Sequence, residues 1–264
     1  MGILNIQEKS NIESYLFCGS VRSEIILNNS ILSHIAIIID GNGRWAKEKN
    51  LKRTEGHYYG RKNFELFSEI LNNMGIKYFT VYGFSTENWS RPPEEVAAII
   101  ALFKSYLEGC SQLSAKHNYR IKVIGSREEL SEEVIKAIDD VEAETRTKTG
   151  MTIQIAFNYG GRDEIVRATK AIANKAIANE ISIDEINDQT FEAYLDTDGT
   201  PPPDIMIRTG GEIRLSNFLL WQLAYSELFF VDKYWPDFHK EDLEEIIKSY
   251  KNRDRRFGGI KNAK

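Results

Sequence analysis

The sequence predicts an α/β protein, a single domain with a central, mainly parallel β-sheet flanked by helices. From residue 34 onward, apolar runs rich in β-branched and aromatic residues alternate with segments of helical period, which is typical of such a sheet. A chain of 264 residues that is 42% hydrophobic is long enough for one large core. Neither an internal repeat nor a low-complexity linker divides residues 34–264, so we expect one catalytic domain there, preceded by a variable N-terminal extension over residues 1–33.

Five short apolar runs are the expected strands, and they cover residues 35–39, 78–84, 120–124, 152–157 and 204–207. Other segments carry apolar side chains at helical spacing. These expected helices cover residues 64–74, 96–107, 134–141 and 241–250. Pro92 and Pro93 suit the start of the second of them, because proline is tolerated in a first helical turn.

Charge and composition exclude several classes of protein. The net charge of −5 and the isoelectric point near 5.6 give no general attraction to nucleic acid or to anionic membranes, so any anionic ligand must be held by a specific site. Cys18 and Cys110 show no paired spacing, which argues against a disulfide framework or a zinc site. No apolar run approaches the roughly 20 residues of a membrane span, and residues 1–33 lack a signal-peptide core. We therefore expect a cytoplasmic protein.

Polar segments with glycine, hydroxyl or amide groups follow four of the five expected strands. They read DGNGRWA after residue 39, STENWSRPP after residue 84, NYGGRDE after residue 157 and RTGGEIRLSN after residue 207. Any one of them could be an ordinary turn with a capping residue. Since ligands of open α/β sheets bind at the carboxyl ends of the strands, the four together predict a ligand site at one sheet edge.

The residue types in these segments suit diphosphate. Glycines allow close backbone approach, successive N–H groups form an anion site, and a following helix N-terminus adds partial positive charge. Five arginines can supply planar, bidentate donors to phosphate oxygens, namely Arg44, Arg53, Arg91, Arg208 and Arg214. Five exceed the needs of one phosphate group, which favours two diphosphate sites and a reaction between two phosphorylated substrates. For Arg53 and Arg91 a surface salt bridge remains an open alternative.

Asp40 is the candidate metal ligand, because Mg²⁺ usually takes one or two carboxylates and fills its other positions with water and substrate phosphates. A helix N-cap or turn aspartate is the alternative role. Glu227, in the apolar context AYSELFF, is a candidate second carboxylate, since a buried acid needs a partner. Asp139 and Asp140 lie in a helical segment and are expected to face solvent.

Longer blocks of sequence carry a family resemblance. They are DGNGRWA, RTEGH with its Arg53-x-x-x-His57 spacing, YGFSTENWSRP, FNYGGRDEI, and IRTGGEIRLSNFLLWQLAYSELFFVDKYWPDF with a terminal RRFGG. In these blocks and their order the chain resembles the cis-prenyltransferases over residues 34–259. The resemblance implies the cis-prenyltransferase fold and an enzyme that adds isopentenyl diphosphate units in cis to an allylic diphosphate such as farnesyl diphosphate, with Mg²⁺. The implied product is a long-chain polyprenyl diphosphate such as undecaprenyl diphosphate.

Carried over position by position, the resemblance implies a role for each matching residue. Asp40 would be the catalytic aspartate that contacts magnesium, Asn88 the proton acceptor, and Glu227 a second metal-linked acid that the family often reaches across a homodimer interface. Residues that would bind the allylic diphosphate or lie in the mobile segment beside it are Gly41, Asn42, Gly43, Arg44, Trp45, Arg53, His57, Ser85, Thr86, Glu87, Trp89 and Arg91. Residues that would bind isopentenyl diphosphate are Arg208, Arg214, Leu215 and Ser216. The RRFGG-like end would reach the partner subunit's site.

Three roles stay open at the level of sequence. An amide such as Asn88 is a weak base, so diphosphate or bound water could take the proton instead. His57 could donate to phosphate or be a satisfied structural histidine, and the resemblance favours the first. Where some members carry a metal-linked histidine this chain has Ile213, which cannot ligate a metal, so magnesium would rest on Asp40 and Glu227.

A polyisoprenoid product also requires an apolar tunnel, whose walls would come from residues 96–107 and 79–84. The resemblance puts Gly83 near it, where glycine favours a long product. Release of so apolar a product suggests peripheral contact with a membrane.

Alternative functions are a shorter-chain cis-prenyl diphosphate synthase, a phosphoryl-transfer enzyme supported by DGNGR alone, and a noncatalytic subunit, which would be expected to lack Asp40 or the arginines. The trans-type synthases use DDxxD motifs on an all-α fold, and neither feature is found here.

Overall fold

A computed structural model of the chain describes residues 32–253. Of the extension expected over residues 1–33, Leu32 and Ser33 fall within this range. The terminal RRFGG segment, which begins at Arg255, lies outside the described residues, and so does Cys18. The expectations for those two segments therefore stay predictions.

The described residues form one six-stranded sheet in which every neighbouring pair is parallel. The strands are β1 (His34–Ile38), β2 (Tyr78–Ser85), β3 (Arg120–Ile124), β4 (Thr152–Tyr159), β5 (Ile205–Arg208) and β6 (Glu227–Phe230). Their order across the sheet is β3-β4-β2-β1-β5-β6. The α/β class is confirmed, and the five expected strands lie within two residues of the observed bounds.

The sixth strand, β6, was not expected from the sequence. It is four residues long, begins with the acid Glu227, and each of its residues is half-buried at the edge of the sheet. Residues 228–231 form an apolar run of four, the shortest that indicates a strand, and this signal was left unused.

Helices cover both faces of the sheet. They are α1 (Asn42–Glu48), α2 (Arg53–Asn73), α3 (Pro93–His117), α4 (Glu132–Thr145), α5 (Gly161–Ile177), α6 (Asp188–Glu192) and α7 (Lys240–Lys251). The four expected helices correspond to α2, α3, α4 and α7. Helix α5 gave little signal because its buried positions include Gly161, Glu164 and Ala168, which do not form an apolar stripe. Across residues 32–253, no helix is long and apolar enough to span a membrane.

Strand β1 is buried on both sides, because successive strand residues point to opposite faces of a sheet. Ile35 and Ile37 belong to a large cluster that includes side chains of α2, α3, α4 and α7. Ala36 and Ile38 belong to a smaller cluster that includes Phe218 on the other face. Each fully buried large apolar side chain contributes roughly 1.5–3 kcal/mol, and this double burial explains the unbroken apolar run.

The register aligns the carboxyl ends of four strands at one edge of the sheet. Ile38 of β1 pairs with Tyr82 of β2 and with Arg208 of β5. Ser85 of β2 pairs with Tyr159 of β4. The polar segments that follow these strands therefore leave the sheet together, as the sequence predicts.

Candidate active site

A cavity of about 880 Å³ opens at this edge of the sheet. Its polar wall comes from the strand ends and the first turns of the helices, and includes Arg162 and Glu212. Its apolar wall comes from positions farther along β2, β4, α2 and α3, and includes Phe64, Phe103 and Ile155. The predicted site residues that line it are Asp40, Gly41, Asn42, Gly43, Arg44, Arg53, His57, Ser85, Glu87, Asn88, Arg91, Arg208, Arg214 and Ser216.

Asp40 holds two arginines at the end of β1. Its Oδ2 accepts a hydrogen bond from Arg208 Nη2 at 2.9 Å, and its Oδ1 lies 3.3 Å from Arg44 Nη2. Burial opposes ionisation, but the hydrogen bond and charge of Arg208 outweigh it, so the pKa of Asp40 lies below its ordinary value. The carboxylate is thus ionised at neutral pH, and its side chain is 30% exposed.

Gly41, and not Asp40, occupies the N-cap position of α1. Its φ is +99°, and a Cβ there would lie 2.5 Å from Cδ1 of Tyr234, so both conformation and space require glycine. Asp40 accepts from the Gly41 N–H at 2.6 Å through Oδ1. The alternative role as a helix N-cap is therefore not the one that Asp40 has.

Three donors in the cavity wall converge on Glu95, a residue that the sequence analysis did not single out. Glu95 accepts from Arg53 Nε at 2.7 Å, and from His57 Nε2 and Arg91 Nη1 at 3.1 Å each. Its side chain is 7% exposed, whereas that of Arg53 is 58% exposed. Arg53 and Arg91 are thus both salt-bridged and part of the cavity wall. The spacing of four residues between Arg91 and Glu95 was the available signal, although Arg91 precedes the start of α3 at Pro93.

His57 is neutral in this setting. Burial lowers the pKa of its imidazole below the ordinary value, and the hydrogen bond that it donates to Glu95 offsets that effect in part. A neutral imidazole still has one N–H to donate and one lone pair to accept. His57 contacts Glu95 and also lines the cavity, so both roles left open for it remain compatible with the geometry.

The segment after β2 forms a 3₁₀ turn over Thr86–Ser90. The backbone N–H of Ser85 donates to Asn88 Oδ1 at 3.1 Å, which fixes the amide beside the cavity. Glu87 accepts from Asn217 Nδ2 at 3.0 Å. Burial opposes ionisation of Glu87, but donors that include its own backbone and Asn217 hold its pKa below the ordinary value.

Arg208 is 4% exposed and organises the segment that follows β5. Its Nη1 donates to the backbone oxygen of Arg214 at 2.6 Å and to Ser216 Oγ at 2.7 Å, while Nη2 holds Asp40. Its buried Nε has no partner. Glu212 pairs with Arg214 at 2.6 Å and with Arg44 at 3.4 Å. The Arg208 guanidinium therefore connects Asp40, the candidate metal ligand, to the segment of Arg214 and Ser216, which is expected to bind the second diphosphate.

Several predicted site residues do not line the cavity. The indole N–H of Trp45 donates to Asp237 at 2.8 Å, and that of Trp89 donates to Asn158 at 2.9 Å, so both rings are engaged elsewhere. Leu215 packs against the smaller apolar cluster. Thr86 lies against Gly160, where a Cβ would be 2.8 Å from its Oγ1.

Glu227 lies at the other end of the sheet from Asp40. It starts β6 and is in register with Ile205, whereas Asp40 comes two residues after Ile38, which is in register with Arg208. Three residue steps along the strands, or about 10 Å, and then the turn from Ile38 to Asp40 separate the two levels. The Glu227 carboxylate is paired with Arg253. The expected metal pair is therefore not formed within one chain, and the described residues contain no group of three or more His, Cys, Asp or Glu side chains that could hold a metal.

The apolar part of the cavity includes Gly83, where β2 has register shifts against β4. A Cβ at Gly83 would meet its nearest neighbours, among them Ile155 and Phe157, at 3.6–3.8 Å, which is ordinary contact. Ile213, where the resemblance implied that some members carry a metal-linked histidine, is 79% exposed. Arg162 also lines the cavity, and its place in the NYGGRDE segment was a signal that the sequence analysis left unused.

Comparisons with known proteins show what this chain is similar to. Residues 38–258 match the family model described as "Putative undecaprenyl diphosphate synthase". The chain is 44% identical over 244 residues to a (2E,6E)-farnesyl-diphosphate-specific ditrans,polycis-undecaprenyl-diphosphate synthase from Micrococcus luteus, covering 90% of this chain and 98% of that protein. It is 50% identical over 236 residues to an isoprenyl transferase from Clostridium acetobutylicum, covering 88% and 92% respectively.

A solved structure extends the likeness to the fold. The structure is lavandulyl diphosphate synthase from Lavandula x intermedia in complex with dimethylallyl diphosphate. The TM-score is 0.82 at 36% sequence identity, and the match covers 86% of this chain and 98% of that one. The arrangement of strands and helices is therefore shared along nearly the whole of that protein.

Proposed function

This chain belongs to the undecaprenyl diphosphate synthase family of cis-prenyltransferases, and from that membership we propose that it adds isopentenyl diphosphate units in cis to farnesyl diphosphate. The proposed product is a long-chain polyprenyl diphosphate such as undecaprenyl diphosphate. A single observation carries the proposal: one continuous cavity has cationic groups at the strand ends and apolar walls farther in. An amphipathic substrate with a charged head and a growing apolar tail requires both.

The allylic diphosphate is assigned to the wall formed by Gly43, Arg44 and Arg53. A Cβ on Gly43 would lie 2.9 Å from the guanidinium carbon of Arg53, so glycine lets that guanidinium lie against the start of α1. Arginine donors fit phosphate oxygens bidentately. Because the guanidinium groups are already held by Glu212 and Glu95, less ordering is needed when the substrate binds.

The isopentenyl diphosphate is assigned to Arg208, Arg214 and Ser216. The unpartnered Nε of Arg208 supports this assignment, since a buried donor without an acceptor is costly unless a ligand supplies one. Arg214 is 59% exposed at the mouth of the cavity, where it can close on a bound diphosphate. The two substrates would then lie on either side of the Asp40–Arg208 pair.

Magnesium fits the residues at this pair. The Asp40 carboxylate is ionised, faces the cavity and is partly exposed, and one carboxylate is enough for an ion that completes its shell with water and phosphate oxygens. When bound, magnesium would stabilise the negative charge that grows on the departing diphosphate. We assign Asp40 as its ligand. Arg44 and Arg53 would stabilise the same leaving group through hydrogen bonds.

Carbon–carbon bond formation leaves a cationic adduct that must lose a proton. Asn88 is a weak base, and its Oδ1 already accepts from the Ser85 N–H. We therefore assign Asn88 an orienting role. The proton would pass to a diphosphate oxygen or to water beside that amide.

We also propose that the enzyme acts as a homodimer in the cytoplasm and releases its product at a membrane. Glu227, which lies far from Asp40 within the chain, would then act from the partner subunit. The family membership and the distance between the two carboxylates support this arrangement. A shorter-chain cis-prenyl product is the nearest alternative.

The proposed function predicts magnesium-dependent incorporation of labelled isopentenyl diphosphate when farnesyl diphosphate is the starter. Asp40→Ala should reduce turnover by several orders of magnitude, because the carboxylate that holds the metal and orients Arg208 is lost. The measurement is product formation followed by sizing on thin-layer chromatography. Asp139→Ala is the matched control, since Asp139 is exposed on α4 and should keep full activity.

Two results would overturn the proposal. One is the absence of magnesium-dependent product with farnesyl, geranyl and geranylgeranyl starters. The other is an Asp40→Ala variant that is as active as Asp139→Ala.

A further inference from the structure

The turn after Arg214 has an unusual backbone. Ser216, Asn217 and Leu219 have φ values of +49°, +63° and +44°, in the left-handed region that side chains other than glycine seldom adopt. Such conformations persist where the surrounding structure holds them in place, and they cluster at functional sites. Asparagine tolerates this region well. The backbone conformation of Asn217 does not, however, account for the hydrogen bonds that its side chain makes.

The carboxamide of Asn217 links two segments of the cavity wall. Its Oδ1 accepts from the backbone N–H of Arg162 at 2.8 Å, in the first turn of α5. Its Nδ2 donates to Glu87 Oε1 at 3.0 Å, in the 3₁₀ turn after β2. Its backbone oxygen accepts from the Gly161 N–H at 2.7 Å. Asn217 thus uses both ends of its amide and its carbonyl group to hold three segments together.

The close approach of these segments depends on glycine. A Cβ at Gly160 would lie 2.8 Å from Asn217 Nδ2, and a Cβ at Gly161 would lie 3.1 Å from the Asn217 backbone oxygen. The two glycines of the NYGG segment therefore let the turn pack against the end of β4. Asn217 itself also lines the cavity.

Asn217 follows the isopentenyl subsite in the chain and contacts the turn that carries Asn88. Ser216, which precedes it, accepts from Arg208 in the isopentenyl subsite. Glu87 belongs to the turn that carries Asn88, and both residues line the same cavity as Arg44 and Arg53 of the allylic subsite. We propose that Asn217 is a positioning residue that couples the two subsites, by fixing the isopentenyl-binding turn to the Glu87 segment and to the start of α5. The proposal rests on the proposed function.

Asn217→Gly distinguishes the role of the side-chain amide from that of the backbone conformation. Glycine suits a positive φ at least as well as asparagine but removes both side-chain hydrogen bonds. If Asn217 couples the subsites, this variant should raise the KM for isopentenyl diphosphate roughly tenfold and lower kcat as well, while farnesyl diphosphate still binds. Wild-type kinetics in Asn217→Gly would overturn the proposal, because asparagine would then serve the backbone alone.

A double-mutant cycle tests the contact with Glu87 itself. Asn217→Asp keeps the acceptor for the Arg162 N–H but puts a carboxylate against Glu87, so the KM for isopentenyl diphosphate should again rise roughly tenfold. Glu87→Gln combined with Asn217→Asp remakes the bond in the opposite direction, with the glutamine amide as donor. We expect Asn217→Asp to raise the KM for isopentenyl diphosphate much less when it is added to Glu87→Gln than when it is made in the wild-type protein.

The outcomes separate this proposal from the proposed function. If the loss in the double variant is the product of the two single losses, the contact carries no coupling and the proposal fails. If the wild-type protein makes no magnesium-dependent prenyl product, the proposed function fails instead. Thermal unfolding of each variant checks that the fold is kept, and Asn217→Asp changes the shape of the side chain least.

Discussion

Single carboxylates organise the cationic wall of the cavity. Asp40 holds Arg208 and Arg44, and Glu95 holds Arg53 together with its two other donors. Pairing buried charges costs desolvation energy that often cancels the Coulombic gain, so these contacts are a weak argument for stability. Their consequence is positional, because guanidinium groups held in place lose less entropy when diphosphate binds.

His34 shows how a single buried residue links stability to pH. It is 2% exposed, its Nδ1 lies 2.6 Å from the Pro201 oxygen, and its Nε2 lies 2.7 Å from Thr80 Oγ1. Burial lowers the pKa of the imidazole from 6.5 to about 4. Between these two pH values the unfolded chain binds the proton and the folded chain does not, so the folded state loses stability as the pH falls.

The prediction is a loss of about 3 kcal/mol in the free energy of unfolding between pH 6.5 and pH 4 from this residue. His34→Gln removes the titrating group and should flatten the pH dependence by that amount, whatever its effect on stability at pH 7. Urea unfolding of both proteins across this range is the measurement. Equal slopes for the two proteins would show that His34 does not titrate in this way.

At the scale of elements, β2 combines two tasks. Its carboxyl end carries the Ser85 segment at the polar wall, and the register shifts around Gly83 lie beside the apolar wall. Bulges and register shifts of this kind are frequent next to active sites, where they re-aim side chains. The helix α3 provides the facing wall through Ile99, Leu102 and Phe103.

Gly83→Leu should shorten the prenyl product. The space around Gly83 accepts a Cβ without a clash, so the variant should fold, but a leucine side chain would project into the path of the growing tail. Product lengths on thin-layer chromatography should shift downward. Gly109→Leu is the matched control, because nothing lies within 4 Å of a Cβ there. An unchanged distribution of product lengths in Gly83→Leu would show that Gly83 does not line the tunnel.

At the scale of the whole molecule, the separation of Glu227 from Asp40 bears on assembly. If Glu227 acts from the partner subunit, each site needs one residue from each chain. Asp40→Ala and Glu227→Ala should then both be inactive as homodimers. Co-expressed and purified together, they should recover roughly a quarter of wild-type activity, because half of the dimers would be mixed and each of those would hold one complete site.

Turnover of the co-purified variants is the measurement, with light scattering to verify the dimer. Activity no higher than that of either variant alone would contradict action across the interface. Full activity of Glu227→Ala by itself would show that this carboxylate is not needed.

The sequence by itself determined five of the six strands of the sheet and the family. Strands such as β1 read clearly because they are buried on both faces, and a run that must be apolar at every position leaves little freedom in composition. The motifs at the strand ends could be recognised in the sequence for a related reason. Close backbone approach at Gly41 and the need for guanidinium donors restrict those positions to few residue types.

Contacts between distant segments were decided by the tertiary structure. That Glu95 gathers three donors, that Asn217 joins the turn after β2 to α5, and that Glu227 starts an edge strand far from Asp40 depend on how helices and strands pack. None of these residues sits in a local pattern that requires it, because a hydrogen bond between segments places no demand on its neighbours in sequence. The sequence shows which residues are charged or polar, but the fold determines which groups they pair with.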